Sequence, residues 1–133
     1  MISARVLEVE PRNPDALHLL GVLAYQANKQ DEAIALMTEA IRNNKKYAPM
    51  HGNLALAKLA KGDLNGAASS ARKAFALSPS YADAHRVLGL VHQKRGNFAE
   101  AIREFHRAQG LGLNTADLES HLATAREQLN IAR

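Results

Sequence analysis

Apolar and polar positions along the chain follow a helical period, and the pattern itself recurs. Laid against itself, the sequence matches at an offset of 34 residues and divides into three units, 14–47, 48–81 and 82–115. The matched positions are those where two antiparallel helices would touch. Each unit carries an early Leu followed by a small residue, Leu20-Gly21, Leu54-Ala55 and Leu88-Gly89, and the small residue lets a second helix approach closely. Further along come Ala33, Ala67 and Ala101 and, seven residues later, Ala40, Ala74 and Ala108, which lie near one face of that second helix. Between the helices stand Asn28-Lys29, Gly62-Asp63 and Gly96-Asn97, where Gly or Asn takes the left-handed conformation that ends a helix. The prediction is an all-α chain of helix-turn-helix pairs. Pro11 and Pro79 hold equivalent places between units, where one helix has stopped and the next has not begun. Lys45 and Leu113 stand there in the other two junctions, which are expected to be less sharply defined.

The spacing Leu-Gly, Gly, Ala, Ala, Pro over 34 residues resembles the tetratricopeptide repeat, over roughly residues 14–115. The resemblance implies a right-handed α-solenoid, and the flanking segments fit it. Residues 1–13 read as the end of a preceding repeat helix that closes at Pro11, and residues 116–133 as a C-terminal capping helix. In that last segment Leu118, Leu122, Ala125 and Leu129 form an apolar stripe, while Glu119, Arg126 and Glu127 are polar. The place the family usually gives to Trp holds Leu17, His51 and His85. The phrases PDALHLLGVLAYQ and YADAHRVLGLVHQKRGNFAEAI resemble bacterial repeats associated with O-linked sugar transferases, a likeness of wording without transferase chemistry.

In the family the first helices line the concave face, so the resemblance implies a partner-binding groove along them. Its residues would be His18, Val22, Tyr25 and Gln26 on the first, Gly52, Asn53, Leu56 and Leu59 on the second, and Arg86, Leu90, Gln93 and Lys94 on the third. Val22, Leu56 and Leu90 share one repeat position and would align as an apolar strip, widened by Tyr25 and Leu59. Such a strip suits an extended peptide or an amphipathic helix of a protein partner, although the same residues would serve to pack neighbouring first helices. Arg86, Lys94, Gln93 and Asn53 are of the types that hold carbonyls or carboxylates. The subtype that grips the C-terminal carboxylate of heat-shock chaperones is matched only at Asn53; His18, Val22, Asp83 and Val87 depart from it, so chaperone tails are not the expected ligand.

Composition adds mainly exclusions. Hydrophobic residues make up 47% of the 133, enough to bury a core. Aromatics are only 5%, with no Trp, which favours close helix packing through Ala and Leu. The net charge of +4 is scattered, with no basic arm or reading helix, so nucleic acid is not an expected partner. With no Cys there is no disulfide framework and no thiolate chemistry. No apolar run is long enough to insert in a membrane and no targeting segment is visible, so a cytoplasmic location is expected. His85 and His92 lie about 10.5 Å apart along one helix, too far to share an ion. His51 and His85 read as packing residues, and His18, His106 and His121 show no partner in sequence, so neither a metal nor another cofactor is expected. No nucleophile elbow, phosphate loop or zinc-protease motif is present, and Gly110-Leu111-Gly112 reads as a helix end, so the chain is not expected to be an enzyme. The expected function is a protein-interaction scaffold. The alternative is a repeat segment of a larger enzyme, such as a glycosyltransferase, that selects protein substrates. Val6, Leu7 and Val9 could also pair two copies through the N-terminal helix.

Overall fold

Local sequence fixes where each helix starts and stops. The computed structural model describes residues 13–44 and 46–133, and these form seven α-helices and no strand: α1 (Pro14–Gln26), α2 (Gln30–Asn43), α3 (Ala48–Lys61), α4 (Leu64–Leu77), α5 (Ala82–Lys94), α6 (Phe98–Gly110) and α7 (Ala116–Ala132). Asn13, Asp63 and Thr115 cap α1, α4 and α7, their side-chain oxygens accepting from the amides of Ala16, Gly66 and Leu118. Each such cap satisfies an amide that the helix leaves without a partner. At the opposite ends Asn28, Gly62, Gly96 and Gly112 adopt φ of 60, 90, 80 and 101°. The next amide then reaches back five residues: Lys29 to the Ala24 carbonyl, Asp63 to Lys58, Asn97 to His92 and Leu113 to Ala108. Four helices therefore end in the same Schellman closure. At the Leu113 junction, expected to be less sharply defined for want of proline, Gly112 turns the chain and Thr115 caps the next helix.

α1 packs on α2, α3 on α4 and α5 on α6 as antiparallel pairs, and each second helix packs on the following first helix, ending with α6 on α7. The fold is thus an all-α helical repeat array closed by α7. All six repeat alanines of the second helices are fully buried. Close approach is explicit at two positions: a Cβ on Gly21 would lie 2.7 Å from Met37 Cγ, and one on Gly89 would lie 2.4 Å from the Phe105 ring. The second repeat uses Ala55 against a seam that holds Ala71, both fully buried. In α7, Leu118, Leu122 and Ala125 are buried, whereas Glu119, Arg126 and Glu127 face solvent. The expected N-terminal helix, with Val6, Leu7 and Val9, lies outside the described residues.

Consecutive first helices also touch one another, α1 with α3, α3 with α5, and α5 with α7, while α2, α4 and α6 do not touch among themselves. Helices in mutual contact on one side and splayed on the other make a curved stack, so the first helices form its inner face.

Candidate interaction faces

The sequence-derived groove residues sit on these first helices, and most are half-buried; only Gln26 and Lys94 are exposed. Val22 and Tyr25 rest on a core cluster that includes Leu54 and Ala57 of α3. Leu56 and Leu59 rest on the cluster holding Ala84, Val87, Leu88 and Val91 of α5, and Leu90 on the cluster holding Leu118 and Leu122 of α7. Each apolar strip residue therefore has one side against the next repeat. Gly52 was expected to be open to the groove and is instead buried, because the Tyr81 ring covers it: a Cβ there would stand 2.4 Å from the phenol oxygen. Burial pushes the Tyr81 phenol above its ordinary pKa, reinforced by Asp83.

Polar groups stitch the same face together. Asn53 Nδ2 lies 2.7 Å from His18 Nε2, and Gln93 Nε2 donates to Gln128 Oε1 at 2.7 Å. The two bonds share one offset, each joining residues 35 apart on consecutive first helices. With Asn53 donating, His18 Nε2 is the unprotonated nitrogen. That agrees with the lowered pKa of His18, where burial outweighs the attraction of Asp15. The Tyr47 ring stands edge-on to His18, with centroids 6.1 Å apart. Arg86 is engaged by Asp83 at 3.0 Å and lines a cleft of about 310 Å³ with Leu113, Thr115 and Asp117. Asp83 pairs with that guanidinium, and Asp117 lines the same cleft.

Three histidines without visible partners in sequence have them in space. Besides His18, His106 lies 3.1 Å from Gln109 Oε1 and 3.2 Å from an Arg126 guanidinium nitrogen, and His121 stacks on Phe105 at 5.8 Å. Between α5 and α6, His85 Nδ1 is 2.9 Å from Glu104 Oε2, Arg107 bonds the other carboxylate oxygen, and the Phe75 ring stacks on His85 at 5.2 Å. Glu104 is only 7% exposed. Sequence reasoning missed this buried pair, yet Glu104 stands between Ala101 and Ala108 on the buried stripe of α6, where a carboxylate requires a partner. Among the described residues no three acidic or His side chains converge to hold a metal, and no helix is long and apolar enough to cross a membrane.

The chain spans about a fifth of the curated relatives it matches. The human Cell division cycle protein 16 homolog is 29% identical over 122 aligned residues, covering 81% of this chain and 19% of that protein. Among solved structures, MamA superposes with a TM-score of 0.85 at 23% identity, over 96% of this chain and 75% of its own. The first such domain of Spaghetti (RPAP3), solved with the HSP90 peptide SRMEEVD, gives 0.83 at 23% identity, over 89% of this chain and 94% of its own. The profile of the tetratricopeptide repeat family matches residues 4–48 and 53–112. With the profile matched over most of its length and its helices paired in successive repeats, the chain belongs to the tetratricopeptide repeat family.

Proposed function

We propose that the chain is a protein-interaction scaffold whose concave face receives a peptide or helix of a partner. The observation that carries this reading is the row Val22, Leu56 and Leu90, continued by Tyr25 and Leu59, running across three first helices that touch and curve. These side chains are half-buried, so each keeps surface for an apolar side chain of a ligand while its other side packs on the next repeat. Gln26 and Lys94 stand exposed beside the row as polar contacts. That a structural neighbour holds the peptide SRMEEVD supports the mode of binding. It does not extend to the same ligand, because Asn53 alone matches the carboxylate clamp and is hydrogen-bonded to His18.

The alternative, a repeat segment that selects substrates for a larger enzyme such as a glycosyltransferase, would use the same groove. It rests on the likeness of PDALHLLGVLAYQ to transferase-associated repeats. Photo-crosslinking from source lysate tests the groove, with the reactive residue placed at Gln26 or Lys94 and, as the outer-face control, at Arg103. A partner trapped from the two inner positions and not from Arg103 is the expected result. Crosslinks arising only from Arg103 would refute the groove reading.

A further inference from the structure

The outer side of the second repeat carries a cleft of about 500 Å³ lined by Ile41 of α2, His51 of α3, and Lys73, Ala76 and Leu77 of α4. Shifted by the 34-residue repeat, these five positions become Phe75, His85, Arg107, Gly110 and Leu111. Three of them act together at Glu104 in the third repeat: His85 and Arg107 bond its carboxylate, and Phe75 stacks on His85. Ser70 stands where Glu104 stands, and its hydroxyl accepts from Lys58 Nζ at 3.3 Å. Ile41 stands where the Phe75 ring stands. The second repeat thus keeps the imidazole and the cation of the arrangement, replaces the carboxylate by a short hydroxyl and the ring by an aliphatic chain, and has an open cleft there.

From this we infer that the cleft binds a carboxylate side chain supplied by a partner, an acidic peptide segment whose Glu takes the place beside His51 and Lys73 that Glu104 takes beside His85 and Arg107. Three observations choose that occupant. The first is that the molecule itself displays a carboxylate between these residue types, with one oxygen toward the imidazole and the other toward the cation. The second is charge: α4 has no acidic residue, and among the described residues Lys73 makes no ion pair. The third is the wall of the cleft, where Ile41, Ala76 and Leu77 are apolar and Leu77 is 42% exposed. An acidic side chain flanked by leucines would satisfy both parts, its carboxylate on the cationic end and its neighbours covering Leu77. This site lies on the face opposite the proposed groove and does not depend on it.

The test uses two alanine-based helical peptides that differ only at a central Glu or Gln and carry a Leu one turn to either side. Binding to the full chain is followed by amide and imidazole chemical shifts. The Glu peptide is expected to bind about tenfold or more tightly than the Gln peptide, with shifts centred on Lys73, Leu77 and His51. Ser70→Glu should supply the carboxylate from within and abolish the preference. Lys73→Glu should do the same from the exposed side, where the substitution leaves packing untouched and settles the matter even if Ser70→Glu fails to fold. Lys94→Glu, on the inner face, should leave the preference unchanged. Equal affinity for the two peptides, or shifts confined to the first helices, would overturn the inference.

Discussion

The second and third repeats share a backbone plan and differ in what lies between their paired helices. In the third, Gly89 yields to the Phe105 ring, and His85 holds Glu104 in the interior. In the second, the same positions are Ala55 with Ala71 and His51 with Ser70, all buried. The invariant alanines set the helix separation. The seam residues then fill it by exchanging volume across the interface, small against large or small against small. The difference shows that the repeat register fixes which positions meet, while the volume placed there varies from Ala with Ala to Gly with Phe.

Removing the large member should have the largest effect. Phe105→Ala is expected to cost about 3–5 kcal/mol, because the ring is fully buried and Gly89 contributes nothing to fill the space. Gly89→Ala alone should cost about 1–3 kcal/mol, since the new Cβ would overlap the ring. In the Phe105→Ala background the same change should stabilise by about 1 kcal/mol, as helix propensity then acts unopposed. Urea denaturation of the two singles and the double measures this reversal of sign. An additive cycle would mean that the two residues do not share the seam.

A smaller effect is expected from Glu104→Ser, which gives the third repeat the residue of the second. The loss of the bonds to His85 and Arg107 should cost about 1.5–3 kcal/mol, whereas Ser70→Ala, which loses the single bond from Lys58, should cost about 1 kcal/mol. Comparable losses at the two positions would show that burial alone, and not the carboxylate partnership, distinguishes the repeats.

The hairpins and turns were legible in sequence because they rest on local chemistry repeated at a fixed offset. Asn28, Gly62 and Gly96 fall on left-handed turns, and the alanine rows are fully buried. What sequence left open depended on residues far apart in the chain. Tyr81 covers Gly52 from the N-cap of α5, and Phe75 reaches His85 from the preceding helix. The groove residues were placed by family resemblance. Their half-buried state arises because each first helix leans on the next, a contact that no single repeat encodes. At the Leu113 junction, which lacks proline, Gly112 and Thr115 supply the turn and the cap.

The comparison extends to the inner face, where the seam between the first and second repeats is titratable and the one between the third repeat and α7 is not. Gln93 and Gln128 hold their bond at any pH, whereas the His18 bond to Asn53 uses a bare imidazole nitrogen. Burial sets the folded pKa of His18 below the ordinary 6.5, so in the window between the two values the unfolded chain binds more protons than the folded one. Stability from this site is therefore full above 6.5, falls as the pH drops through that window, and levels off below the folded pKa. His18→Gln offers Asn53 an amide oxygen that does not titrate, and should remove this component. The check is the difference between thermal melting curves of wild type and variant across the acidic range: it should shrink in favour of the variant as acid is added. A difference that stays constant with pH would mean that His18 titrates as an ordinary exposed imidazole and that the seam between the first two repeats is no more sensitive to protons than the glutamine pair.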